Sequence, residues 1–220
     1  MNEILHPVTV VLDELIEFFS KMNFQLKSYT EVRTLSEEFE SVQIYKENPV
    51  RDKGRTFYID EEHVLQAHTS ALRNTVEKCG AGKYLVPGRI YRVNREDPSH
   101  NYISHQLEGC IVGGMCNMLE FHIMMCDAFF SLGFTQEQLC YTNDFTIFTS
   151  PTIQYYYKCY LCRGKGCSLC KEKGMLAYAA GGIQNDTVTE KGANLSFCIS
   201  LDRLAMLKYK LQDARILYQR

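Results

Sequence analysis

Proline is scarce in this chain, five among 220 residues against 14 glycines, so there is no collagen-like or low-complexity scaffold and no long disordered tail to expect. Long apolar runs are missing too. No uncharged stretch reaches the ~18 residues that a membrane-spanning helix needs, and residues 1–11 carry an acid where a secretory leader would be basic. The expectation is a soluble, cytoplasmic protein with no membrane partner. An excess of one charge is also absent: 24 Lys and Arg face 26 Asp and Glu, a formal net charge of −2. Nothing global attracts a polyanion, and contact with nucleic acid would need a local basic patch. What the chain does have is cysteine, ten in all, and without a secretion signal these suit reduced thiols or a metal better than a disulfide framework.

Val8, Val11, Leu12, Leu15, Ile16 and Phe19 recur at intervals of three and four, which predicts an opening amphipathic helix with Pro7 in its first turn. Thr30 to Val42 is acidic and mixed in pattern, and Asn48-Pro49 followed by Arg51-Asp52-Lys53-Gly54-Arg55 reads as an exposed loop. Thr56–Ile59 and Val64–Ala67 are brief strand-like runs. Ser70–Lys78 predicts a helix that Thr69 or Ser70 could cap and that Gly80 and Gly82 end. Arg89–Val93 and Ile103–Val112 are the strongest strands, joined by a polar loop containing Arg95, Glu96, Asp97, Pro98 and His100. A Met-rich helix over Asn117–Leu132 follows, then aromatic strands around Tyr141–Phe148 and Gln154–Tyr157. Strands at Met175–Ala180 and Leu195–Leu201 and a helix at Asp202–Tyr209 complete an α+β pattern, an antiparallel sheet with helices around it. With no internal repeat or linker, residues 1–220 are expected to form a single domain.

The spacing Cys159-x2-Cys162-x4-Cys167-x2-Cys170 supplies four thiolates from two tight turns, the donor set of tetrahedral Zn²⁺. Gly164 and Gly166 can take the positive φ that folds the chain back on itself. Structural zinc is favoured over an iron centre or an unmetallated cluster, and with every position filled by Cys no open site for catalysis remains. Lys158, Arg163, Lys165, Lys171 and Lys173 are placed to offset the thiolate charge, with a phosphate-backbone contact as the second reading. The segment 158–173 is thus read as a metal-binding insertion. The other six cysteines, including Cys79, Cys116, Cys126 and Cys140, are expected in the core.

Alternation along Ile103–Val112 puts Ser104, Gln106, Glu108 and Cys110 on one face and Ile103, His105, Leu107 and Ile111 on the other. Gln106 and Glu108 form an acceptor-rich pair that wants a cation, either a neighbouring Arg or Lys or a substrate ammonium. Arg92 is either the partner of Glu108 or a clamp for carboxylate and phosphate. The residues alone leave both choices open. His105, on the apolar face, reads as a satisfied core histidine.

The block from Gly88 to Gly109, reading Gly-Arg-Ile-Tyr-Arg-Val-Asn-Arg-Glu-Asp-Pro-Ser-His-Asn-Tyr-Ile-Ser-His-Gln-Leu-Glu-Gly, closely resembles motif 2 of the phenylalanyl-tRNA synthetase α subunit, a class II aminoacyl-tRNA synthetase. His6-Pro7 with its helix resembles motif 1. Asn48-Pro49-Val-Arg51-Asp52 and Thr56–Ile59 resemble the segment before the family's His-Thr-Ser, which stands here as His68-Thr69-Ser70. Leu201-Asp202-Arg203 through Tyr209 is similar to motif 3, followed by Asp213-Ala214-Arg215, and some family members carry a similar Cys-rich insertion. The resemblance covers nearly the whole chain. It implies a ligase that binds ATP, Mg²⁺ and an aromatic or modified aromatic amino acid, and forms an aminoacyl adenylate. Transfer to tRNA is less secure, because the family's N-terminal tRNA-binding arm is not expected in a chain whose motif 1 starts almost at Met1. By the same resemblance Arg92 would bridge the amino-acid carboxylate and the α-phosphate, His100 would approach the phosphates and Arg203 would hold the γ-phosphate. His68, Ser70, Gln106 and Glu108 would hold the α-ammonium, and Phe148 would line the side-chain pocket. A homodimer through the first helix is expected.

Departures from the family cluster around the ligands. Ser104 stands where the family has a Phe that stacks on adenine, which removes a contact worth roughly 0.5–1.5 kcal/mol. Phe197-Cys198-Ile199-Ser200 replaces a Phe-Gly-x-Gly, so Cys198 could obstruct the pocket. Thr146 and Ser196 add hydroxyls to an aromatic pocket, and a substrate with its own polar group could satisfy them. The competing reading is a degenerate paralogue that binds a ligand or regulates without catalysis, supported by Ser104, Cys198 and Ser200. A zinc-centred nucleic-acid module would explain only the segment 158–173.

Overall fold

The computed structural model describes residues 5–72, 76, 78–93, 96–114, 117–146, 148–185 and 193–219, with the side chains of 193 and 194 left aside. Helix α1 (Pro7–Ser20) starts on His6, whose ring accepts from the Val8 N–H, and buries Val8, Val11, Leu15 and Phe19. That is the stripe predicted by its spacing. It packs on α3 (Met118–Ser131) and α4 (Leu201–Tyr209), and the three helices cover one face of a seven-stranded sheet.

The strands run β1 (Phe24–Leu26), β4 (Gly82–Tyr91), β5 (Ile103–Val112), β9 (Ala193–Ser200), β8 (Met175–Gln184), β7 (Thr149–Lys158) and β6 (Leu139–Asp144) across the sheet, while β2 (Val32–Thr34) and β3 (His63–Leu65) form a separate ribbon. Every pairing in the large sheet is antiparallel except that of the short edge strand β1 with β4. The expected α+β class and helix-flanked antiparallel sheet are therefore found. Leu107, Ile111, Tyr155, Tyr157, Leu195, Phe197 and Ile199 point into the helix-side core. A Cβ on Gly109 would lie 2.0 Å from the Phe197 ring, so that ring can cross the sheet only because position 109 has no side chain.

Several boundaries differ from the sequence reading. Gly82 opens β4 rather than closing a helix, and the strand ends at Tyr91. Thr69–Leu72 is a 3₁₀ turn, and the rest of the helix expected at 70–78 lies partly outside the described residues. Strand β6 stops at Asp144, where Thr146 starts a turn of its own. Cys79 is exposed rather than in the core, Cys110 is buried, and Cys126 and Cys140 are half-buried. Cys116 and Arg95 lie outside the described residues.

Candidate active site

The β4–β5 hairpin and the start of α4 meet over the sheet face opposite the helices. Between them lies a cleft of about 260 Å³ whose lining includes Arg92, His100, Ser104, Gln106, Cys198, Ser200 and Arg203. Arg92 follows β4 directly and its Nε donates to the Ala67 carbonyl at 2.7 Å. Arg203 sits in the first turn of α4, its Nη1 donating to the Ala177 carbonyl at 2.5 Å and its Nη2 reaching His100 Nε2 at 3.2 Å. An arginine can only donate, so Nε2 of His100 accepts and its proton is on Nδ1, facing Asp97 at 3.0 Å.

Burial pulls the pKa of Arg92 down, while Cys198 and Glu38 work the other way and Arg203 adds to the depression. Burial also lowers Arg203, against the pull of Tyr157, Asp97 and Asp202. Two guanidinium groups thus share one hollow and repel, a field that an anion would relieve. For His100, burial and Arg203 outweigh Asp97 and hold the imidazole below its usual range, so it is neutral at pH 7. Burial opposes ionisation of Asp97, but hydrogen bonds from His100, Ser99 and Lys171 keep its carboxyl far below the usual range.

Behind the cleft, the Thr69 hydroxyl lies 3.1 Å from Gln106 Oε1, 2.8 Å from Glu108 Oε2 and 3.5 Å from Cys198 Sγ. One hydroxyl proton serves two acceptors there. Cys198, between Glu108 and Ala180 in the sheet, is part of the cleft lining. His68, Ser70 and Glu108 are buried, and the His68 ring packs 6.1 Å from Phe148 and 6.5 Å from Phe39. Arg92, His100, Arg203 and Gln106 therefore line one cleft, with Glu108 reached through Thr69, while His68, Ser70 and Phe148 are not among its lining residues. No phenylalanine is among the described residues lining the cleft, whose ring side chains are His100 and Tyr178. His105 is a satisfied structural histidine, stacked on Tyr218 and 3.1 Å from its hydroxyl.

One residue here gave no sequence signal. Thr34 and Glu37 form a capping box on the short helix α2 (Leu35–Glu38), which turns Glu38 inward, where its carboxylate accepts from the backbone N–H groups of Ala67 and His68. Burial raises the Glu38 pKa to about 7, against the two N–H groups and the charges of Arg33 and Arg92. A native carboxyl raised above its unfolded value holds a proton the unfolded chain has released. Its contribution is best below the ordinary carboxylate range and is lost as pH climbs toward about 7. The difference in Tm between Glu38→Gln and the wild type should accordingly shift in the variant's favour from about pH 5 to about pH 8. A pH-independent difference would show that Glu38 is not the titrating group.

The four cysteines form a knuckle between β7 and β8. Sγ–Sγ separations are 3.8 Å for Cys159–Cys167, 3.8 Å for Cys162–Cys170 and 3.7 Å for Cys167–Cys170, and all four sulfurs lie within 4.8 Å of one another. A tetrahedron with Zn–S bonds of about 2.3 Å has edges of about 3.8 Å, so the donor set fits zinc. Gly166 N–H donates to Cys162 Sγ, and Gly174 N–H to Cys170 Sγ, each at 3.2 Å. Gly164 and Gly166 have the expected positive φ, 86° and 102°. Gly174 also has a positive φ, and a Cβ there would lie 2.3 Å from the Gly164 carbonyl oxygen. Lys171 Nζ reaches Asp97 at 3.0 Å, which ties the knuckle to the hairpin loop that carries His100.

Residues 1–220 match the family model described as tRNA synthetases class II core domain (F). The chain belongs to this class II synthetase family. This synthetase core is 33% identical over 224 residues to the phenylalanine–tRNA ligase alpha subunit of Syntrophus aciditrophicus (strain SB), which covers 97% of the chain and 66% of that relative. It is 30% identical over 226 residues to the same-named subunit of Streptococcus thermophilus (strain CNRZ 1066), covering 97% and 65%. The chain thus spans about two thirds of the length of the curated relatives it matches. Among solved structures, pyrrolysyl-tRNA synthetase from Desulfitobacterium hafniense superposes with a TM-score of 0.73 at 14% identity, over 97% of this chain and 73% of that one. That likeness concerns the fold alone. No helix among the described residues is long and apolar enough to cross a membrane.

Proposed function

We propose that this synthetase core activates an aromatic amino acid with ATP. The supporting observation is the pair of half-buried arginines, Arg92 and Arg203, brought from separate elements to one cleft that also presents Gln106. In the reaction a carboxylate oxygen of the amino acid forms a bond to the α-phosphorus of ATP, the bond from that phosphorus to the bridging oxygen breaks, and pyrophosphate leaves. No protein nucleophile is needed, so catalysis is positioning and charge compensation. Arg92 spans the carboxylate and α-phosphate, and Arg203 holds the γ-phosphate. Neutral His100 keeps the Arg203 fork aimed and approaches the phosphates itself. Gln106 and Glu108, with His68 and Ser70, hold the α-ammonium, and Phe148 walls the side chain. Among the described residues lining the cleft Asp202 is the one carboxylate, and its oxygens are engaged by the Tyr218 hydroxyl and the His105 N–H. Those residues form no seat for a resident Mg²⁺, so Mg²⁺ would arrive as the companion of the nucleotide. Zinc in the knuckle would be structural.

The name of the relatives, phenylalanine–tRNA ligase alpha subunit, favours tRNA as acceptor of the acyl group, and the resemblance of the first helix to motif 1 favours a second copy of the chain as partner. Ser104 and Cys198 in the cleft lining support the competing reading, a ligand-binding paralogue without catalysis. Amino-acid-dependent exchange of pyrophosphate into ATP separates the two. Exchange is expected with at least one member of a panel of aromatic and ring-substituted amino acids. Silence across the panel, in folded and metal-replete protein, would transfer the assignment to ligand binding.

A further inference from the structure

Two hydroxyls were candidates for meeting a polar substrate, and the structure separates them. Thr146 is already satisfied: its Oγ1 accepts from the N–H groups of Phe148 at 3.2 Å and Thr149 at 2.9 Å and lies 3.0 Å from Thr149 Oγ1. Ser196 is different. It is fully buried, and its Oγ has no hydrogen-bond partner among the described residues. Gln184 shares this state, 4% exposed with neither Oε1 nor Nε2 partnered. A glutamine amide offers two donors and two acceptors, and buried groups of that kind are nearly always paired in native proteins.

Register places both residues in line with the ammonium-binding pair. Glu108 is opposite Cys198, which is opposite Ala180; one step along, Cys110 is opposite Ser196, which is opposite Gly182; beyond that, Gln184 is opposite Thr149. These share the sheet face away from the helices, and each step of two residues advances about 7 Å. An amino acid held by its ammonium at Gln106 and Glu108 would therefore point its side chain past Cys198 toward Ser196, with Gln184 one step further along the neighbouring strand. The turn that carries Phe148 is tied down beside Gln184, since Asn185 N–H donates to the Phe148 carbonyl at 3.2 Å. The ring walls of Phe148 and His68 suit a flat side chain, and the rows that hold Ser196 and Gln184 carry no charged residue before the edge strand, where Asp144 stands opposite Thr152.

Resting on the amino-acid-activation reading, we propose that Gln184 and Ser196 form the polar floor of the side-chain pocket. They select an aromatic amino acid that carries an uncharged hydrogen-bonding group at the far end of its ring. Such a group pairs the buried amide and hydroxyl, whereas phenylalanine leaves them unpaired, and a site built for hydrogen bonds rejects the ligand that lacks them.

The test is calorimetric binding of phenylalanine, tyrosine and para-carbamoylphenylalanine to the full metal-loaded chain, wild type and Gln184→Met and Ser196→Ala. One of the two polar ligands should bind the wild type at least about tenfold tighter than phenylalanine. Gln184→Met should erase that preference and raise the Tm of the ligand-free protein, a combination that a merely structural glutamine would not give. Should Gln184→Met fail to fold, the wild-type ranking and Ser196→Ala decide. Phenylalanine binding as tightly as both polar ligands, or no binding by any of the three, overturns the proposal. Pyrophosphate exchange in parallel keeps the two readings apart. A polar preference in binding with silent exchange removes activation and leaves the floor, while exchange fastest with phenylalanine keeps activation and removes the floor.

Discussion

Arg203→Ala should lower kcat/KM for pyrophosphate exchange by roughly 100- to 1,000-fold and weaken ATP binding in calorimetry, while the protein stays folded. The size follows from where the guanidinium sits. One arm is fixed on the Ala177 carbonyl and another on His100, so the group is oriented before nucleotide arrives and little reorganisation remains to be done. Stability should change little, because two effects oppose. Removing Arg203 leaves the Ala177 carbonyl without its donor, yet it also relieves repulsion with Arg92, whose pKa it depresses. Arg203→Lys keeps the charge but not the fork and should recover only part of the loss. Pyrophosphate alone should raise the Tm of the wild type and do so far less for Arg203→Ala. Exchange by Arg203→Ala at the wild-type rate would remove this residue, and with it the paired-arginine account of the cleft.

The parts of this site that were legible in the sequence are those with short-range grammar. The alternation on β5 put Gln106 and Glu108 on one face because a strand has period two, and the cysteine spacing sketched the knuckle because a metal needs its donors in tight turns. Positions fixed by distant neighbours were not legible. Glu38 lies in a stretch that is acidic and mixed in pattern, and its burial depends on a cap at Thr34 together with N–H groups nearly 30 residues away. Gly82 looked like a stop after a helix, but Tyr84 leans over it, so close that a Cβ would meet the ring hydroxyl at 2.8 Å. The parallel strand β1 is three residues long and carries no alternation from which pairing could be read. Gln184 sat in a small-residue strand where nothing local says which face is buried. Thr146 misled for the opposite reason: the hydroxyl that looked unsatisfied is consumed by its own turn.

Withdrawing metal from the knuckle is the second large effect to expect. Cys159, Leu169 and Cys170 belong to the same buried cluster as the sheet and helices, and the Tyr160 hydroxyl donates to the Leu211 carbonyl, so the knuckle is packed into the body of the protein. The purified chain should carry about one zinc, and chelation or Cys170→Ser should lower Tm by roughly 10 °C. The consequence for the cleft runs through a continuous set of contacts: Lys171 to Asp97, Asp97 to His100, His100 to Arg203. Loss of the knuckle should therefore weaken ATP binding by about tenfold or more, beyond what a remote structural metal would cause. Lys171→Ala isolates the link, because it leaves all four thiolates in place. With Lys171 half-exposed, its ion pair is screened and modest, so this variant should keep its zinc and lose only roughly two- to fivefold in ATP affinity. Chelated protein that remains folded and binds ATP as before would mean that the knuckle and the phosphate-facing loop are independent. A full loss of binding in Lys171→Ala would place that lysine on the nucleotide itself rather than on the loop that receives it.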